Sequence, residues 1–140
     1  MQAHPQKEHA WLKQLVGNWT VESVASMGPD KPEETWRGTE TVRSLGDLWV
    51  LCEGKGPPAE SPHENVFTFG YDPAKGKFVG TFVSSMMTEL WTYEGSLGDD
   101  GKILSLHSVG PSMKGDGERT RYIDSIEIVG PDERILRSRA

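Results

Sequence analysis

The sequence predicts an all-β protein, an antiparallel up-and-down barrel of about nine strands with a short N-terminal helix. Two observations carry that expectation. The apolar spacing changes from helical to alternating at Gly17-Asn18-Trp19, and alternation then recurs in short segments to the end of the chain. The separators between those segments are brief and rich in Gly, Pro and Asp, whereas parallel neighbours would need crossovers of a dozen or more residues. A two-sheet sandwich satisfies the same pattern and stands as the second architecture.

The elements follow in order. Over 9–16, Trp11, Leu12, Leu15 and Val16 share one side of a helix of one or two turns, and Gly17 sits where a C-cap belongs. Residues 1–8 form a tail, and 9–140 a single domain. From Trp19 the period is two: Trp19, Val21, Ser23 and Ala25 alternate with Thr20, Glu22 and Val24 until Gly28-Pro29-Asp30-Lys31-Pro32 forces a turn. Further strands are expected at 34–44, 48–54, 65–71, 77–84, 89–97, 102–109, 119–129 and 134–138. Turn chemistry separates them, as in Leu45-Gly46-Asp47, Asp72-Pro73-Ala74-Lys75-Gly76 and Gly130-Pro131-Asp132. The Pro-rich loop at 54–62 reads either as a lid over a barrel mouth or as an ordinary hairpin loop.

Composition narrows the function classes. A chain of 140 residues suits one domain that buries roughly two thirds of the surface its unfolded form exposes. With 15 Lys and Arg against 21 Asp and Glu, the net charge is -6, which argues against a nucleic acid or an anionic membrane as partner. Cys52 is the single cysteine, so no intrachain disulfide forms and a cytoplasmic setting is expected. No window approaches the roughly 18 apolar residues of a spanning helix, and the first eight residues lack a signal core.

Several stretches together resemble a known family. They are His9-Ala10-Trp11-Leu12, Leu15-Val16-Gly17-Asn18-Trp19, Trp36-Arg37-Gly38-Thr39-Glu40, Leu48-Trp49-Val50, the run from Gly70-Tyr71-Asp72-Pro73 to Val79-Gly80-Thr81, and Ser85-Met86-Met87-Thr88-Glu89-Leu90-Trp91-Thr92-Tyr93-Glu94-Gly95. Over 9–136 the chain is similar to the bacterial domain of unknown function 1579. The resemblance implies a lipocalin-like, or calycin, barrel, with Gly17 turning the chain into the first strand and Trp19 packing across the floor. It brings no catalytic residues and no cofactor. Members of that family usually continue into one more strand, so here either the end is rewritten, or the final strand is missing and the barrel is incompletely closed at its C-terminus. The resulting edge could pair with a second copy to give a homodimer, unless Arg134, Arg137 and Arg139 blunt it.

Candidate site residues come from polar side chains set in apolar strands. On the segment from Glu34, Trp36, Gly38, Glu40 and Val42 share one face, and Thr35, Arg37, Thr39, Thr41 and Arg43 the other. The second face is either solvated, or else Arg37 lines a cavity and recognises an anionic group. Glu40 on the apolar face requires a partner or a raised pKa: either an ion pair with an inward arginine or a binding or proton-transfer site. Glu53 shares a face with Trp49 and Leu51, and Glu94 with Leu90 and Thr92. Met86, Met87, Trp91 and Tyr93 offer flexible and flat apolar surface suited to a nonpolar ligand, or else fill the core. Phe67, Phe69, Phe78 and Phe82 carry the same ambiguity. Cys52 with His107 raises an activated thiolate, against a buried structural cysteine. His4, His9 and His63 lack the spacing of a metal site.

Three functions follow as expectations. The first is a noncatalytic barrel that binds a small, mainly apolar molecule in its lumen. The second is an isomerase, cyclase or hydrolase using Glu40 with Arg121 or Tyr122. The third is an interaction protein with a packed, ligand-free barrel.

Overall fold

A computed structural model of the chain describes residues 2–26, 32–57, 61–112 and 115–139. One helix, α1 (Lys7–Lys13), precedes nine strands: β1 (Gly17–Ser26), β2 (Glu34–Leu45), β3 (Trp49–Gly56), β4 (His63–Asp72), β5 (Lys77–Ser84), β6 (Trp91–Leu97), β7 (Ile103–Pro111), β8 (Arg119–Ile128) and β9 (Glu133–Arg139). Every expected strand is present. No strand boundary differs by more than two residues; such differences occur at the start of β1, β4 and β6 and at the end of β7 and of β3, which extends into the loop expected at 54–62. Residues 58–60 of that loop, and most of the turn expected at 28–32, lie outside the described residues.

The helix begins earlier and ends sooner than its apolar spacing suggests. Its first turn is held by His9, whose Nδ1 accepts the Gln6 N–H at 2.9 Å. Nε2 of the same ring lies 3.1 Å from the Tyr71 carbonyl, so the tautomer protonated at Nε2 satisfies both bonds. After Lys13 the chain continues in turns closed by Leu15 N–H to Leu12 O and Val16 N–H to Lys13 O. Gly17 then adopts φ +139°, a value that side chains disfavour, and this redirects the backbone into β1.

Consecutive strands pair antiparallel from β1 through β9. The barrel then closes by pairing β9 with β1 in parallel, from Thr20 opposite Glu133 to Ser26 opposite Arg139. An odd number of alternating strands leaves the first and last pointing the same way, so the closing ladder is parallel by necessity. This corrects one expectation and decides between two others. The sheet is mixed rather than wholly antiparallel, and it is closed without a further strand. The C-terminal edge proposed for homodimer pairing is occupied by β1 within the chain.

Odd-numbered strands run away from α1, which sets two unlike ends. Connections at the α1 end span three to five residues, and those at the far end six or seven. The α1 end is the packed floor. Leu12 and Leu15 are fully buried there against Trp19, Val50, Phe69 and Leu104. Trp19 Nε1–H donates to the Leu15 carbonyl at 2.7 Å, and Trp11 Nε1–H to the Gly101 carbonyl at 2.7 Å, so both indoles satisfy their polar edge while their rings seal the base. Among the described residues no helix is long and apolar enough to cross a membrane.

Candidate functional site

Side-chain size decides where the barrel is hollow. Along strands leaving the floor, inward residues shrink: Trp19, Val21, Ser23 and Ala25 in β1; Val50, Cys52, Gly54 and Gly56 in β3; Leu104, Leu106, Ser108 and Gly110 in β7. Large side chains therefore fill the floor half, and small ones leave space in the other half. A cavity of about 680 Å³ occupies that space and reaches the far end of the barrel at residues such as His63, Met86 and Glu118. This is within the range of small-molecule sites.

One wall of the cavity is aromatic. Phe67 packs on Phe82 at 4.5 Å and on Tyr93 at 6.2 Å between ring centroids. Trp91 meets Tyr122 edge-to-face at 5.4 Å, and Gly110 makes room for it: a Cβ there would lie 2.0 Å from the Trp91 ring. Trp91 Nε1–H points at Met87 Sδ at 3.1 Å. Met86 is 70 % and Met87 42 % exposed, so these methionines sit at the mouth and do not fill the core. Their loop is anchored where Arg119 donates to both oxygens of Glu89 at 3.1 and 2.9 Å. That pairing holds the Glu89 carboxyl below the usual carboxylate range.

A polar patch interrupts this wall. Tyr93 O–H donates to Asp124 Oδ2 at 2.8 Å, while Asp124 Oδ1 and Ser108 Oγ are buried without a hydrogen bond among the described residues. Burial drives the Asp124 carboxyl upward, partly offset by the Ser138 and Tyr93 hydroxyls facing it. Burial, with the neighbouring Asp124 carboxylate, also drives the Tyr93 phenol upward, so the hydroxyl stays a donor at neutral pH.

Glu40 lies at the base of the lumen, buried and ion-paired with Arg134. The pair spans β1, since Glu40 registers with Trp19 and Arg134 with Val21. The Arg134 guanidinium also stands 5.6 Å from the centroid of the Trp19 ring. Burial pushes its pKa down to about 10, which still leaves it charged at neutral pH. The carboxylate thus has its counter-ion in the wall of the barrel, the ion-pair alternative for this residue.

The remaining candidates separate. Arg37 turns outward, is more than half exposed and pairs with Glu133 at 2.6 Å, so it does not meet the cavity. The face it shares with Thr35 and Thr39 is the solvated one. Glu53 and Glu94 are likewise exterior, beside Arg43 at 3.9 Å and between Lys75 and Lys77 at 3.1 and 3.2 Å. Arg121 is exposed, and Tyr122 donates its O–H to the Pro111 carbonyl at 2.7 Å. Neither is the partner of Glu40. Cys52 is fully buried and burial pushes its thiol up to about 12, while His107 projects outward, so no activated thiolate forms. Among the described residues no group of His, Cys, Asp or Glu has a metal-binding arrangement.

Three important residues escaped the reading of the sequence. Asp124 has the parity of Tyr122 and Ile126, Ser108 that of Leu104 and Leu106, and Arg134 that of Leu136. Each is a polar residue on an apolar face, the signal that identified Glu40, overlooked because Arg134 was placed on a terminal edge and β8 is partly apolar on both faces. No curated protein matches the chain. The family described as protein of unknown function, DUF1579, matches residues 4–140. With nearly its whole length covered by that match, the chain belongs to the DUF1579 family.

Proposed function

We propose that the barrel binds a small, mainly apolar molecule in its lumen, as a noncatalytic carrier or sensor. One observation carries this reading: the far half of the barrel holds a cavity of about 680 Å³ bordered by Phe67, Phe82, Trp91 and Leu136, while the floor half is packed solid. A protein selected only for stability gains by filling such space, because empty volume forfeits contacts on every lining atom. Trp91, Tyr93 and the two methionines supply flat and adaptable apolar surface for a guest. A reducing, cytoplasmic setting accompanies the proposal, with Cys52 kept as a free thiol.

Native mass spectrometry of the protein purified from its own host tests the reading. The expected result is a copurifying small molecule that is lost on organic extraction. An unliganded mass, together with failure of the neutral apolar dye N-phenyl-1-naphthylamine to gain fluorescence in the protein, would overturn it.

A further inference from the structure

Two buried polar atoms on the lumen wall have no hydrogen bond among the described residues. Ser108 is 7 % exposed, and its Oγ has no hydrogen bond among the described residues; neither has Asp124 Oδ1. Both residues border the cavity. An unsatisfied buried polar atom is costly, of the order of 1–3 kcal/mol, and two on one wall of a hollow space call for a partner that enters from outside. Ordinary core packing would have placed apolar residues at these positions, as it does at Leu104 and Leu106 one turn of the pleat nearer the floor.

Register sets their relation. Ser108 stands opposite Tyr122, and Leu106 opposite Asp124, so Ser108 and Asp124 are diagonal neighbours on the inner face. Such neighbours lie roughly 7–8 Å apart at the backbone, wide for a direct bond between two short side chains and suitable for one bridging oxygen. Asp124 is meanwhile held by Tyr93, which donates to Oδ2, and is faced by the Ser138 hydroxyl directly opposite it in register. Oδ1 remains as an acceptor, and the Ser108 hydroxyl can donate.

We propose that this patch recognises a hydroxyl group of an otherwise apolar guest, the ligand O–H donating to Asp124 Oδ1 and its oxygen accepting from Ser108 Oγ–H. A hydroxyl is the smallest group that supplies both a donor and an acceptor on one atom. An ether supplies only the acceptor, and an ammonium only donors. The apolar remainder lies along Phe67, Phe82 and Trp91 toward the mouth. The inference rests on lumen binding and names the chemical class of the guest.

Displacement of N-phenyl-1-naphthylamine by octan-1-ol, 1-methoxyoctane and octylammonium tests it. Octan-1-ol is expected to displace the dye at a concentration about tenfold below that of 1-methoxyoctane, since a site built for a hydroxyl discriminates against the analogue that lacks it. Ser108→Ala and Asp124→Ala are expected to bind the dye but to erase the preference. Ser108→Ala removes one oxygen and reads the preference even if Asp124→Ala does not fold. Equal displacement by alcohol and ether, a preference that survives Ser108→Ala, or stronger displacement by octylammonium would each overturn the hydroxyl assignment while leaving lumen binding intact. Failure of the dye to enter the wild-type protein, together with an unliganded native mass, would overturn both.

Discussion

Asp124 is a carboxyl held where its charged form is disfavoured. Burial raises its pKa above the ordinary 3.8, so the folded protein binds more protons than the unfolded chain between that value and the raised one. Stability therefore falls as pH rises through this window. Asp124→Asn removes the charge and retains an oxygen to accept from Tyr93. The variant is expected to be more stable than wild type at pH 7, with the difference disappearing below pH 3.8, read by urea denaturation at both pH values. A variant less stable at pH 7 would show that the carboxylate is itself stabilising. Glu40 and Arg134 behave differently because each neutralises the other in a buried pair. Removing one partner, by Glu40→Leu or Arg134→Met, is expected to cost about 3–5 kcal/mol, and the double variant to recover most of it or exceed wild type. Additive losses in the double-mutant cycle would contradict the pairing. These residues also mark how far a site can be read from alternation. Glu40 was legible because its strand is polar on one face and apolar on the other. Arg134 was not, because its neutralising partner lies 94 positions away in sequence across a ladder that only the closed fold reveals.

At the scale of elements, the hollow half of the barrel is a consequence of size order along each strand. β7 states it most simply, as Leu104, Leu106, Ser108 and Gly110 succeed one another from floor to mouth. The last of them is glycine because the Trp91 ring occupies the volume that a Cβ would need. Gly110→Ala is expected to push Trp91 from its place and to destabilise the fold by about 1–3 kcal/mol. Intrinsic fluorescence should shift as the indole loses its contact with Tyr122, and dye binding should weaken. An unchanged emission spectrum with unchanged stability would show that Trp91 does not form this wall. Strand positions were legible because alternation and turn residues agree, as at Asp72-Pro73-Ala74-Lys75-Gly76. There Gly76 N–H bonds the Asp72 carbonyl at 2.9 Å and Gly76 adopts φ +64°. The helix was less so. Apolar spacing marks the residues that face the barrel as far as Leu15, while Val16 is exposed, but the cap at Gln6 and His9 sets where the helix begins and turns replace it after Lys13. The hollow itself left a trace in the order of side-chain sizes, which alternation of polarity alone does not register.

The whole molecule depends on a contact between its ends. Local turn chemistry specifies each hairpin in sequence, yet nothing local specifies that β9 returns to β1, because Thr20 and Glu133 are joined only by the accumulated twist and tilt of the intervening strands. Parity then dictates that the closing ladder be parallel. The Glu40 and Arg134 pair spans that seam from β2 to β9, and Arg37 with Glu133 spans it on the outside at 2.6 Å. The seam is therefore clasped on both faces. In the closed barrel β9 has a bonded neighbour on each side, β8 and β1, and its amides have no free edge from which to exchange. Native-state hydrogen exchange is expected to show residues 134–138 protected to the same order as residues 65–71 of β4, which also lies between two strands. Exchange in β9 faster by orders of magnitude, with β4 still protected, would mean that the seam opens independently of the rest. Arg134→Met discriminates further, since losing the inner clasp should accelerate exchange in β1 and β9 before it affects β4 or β5, whereas a uniform acceleration would assign the pair to global stability and not to closure.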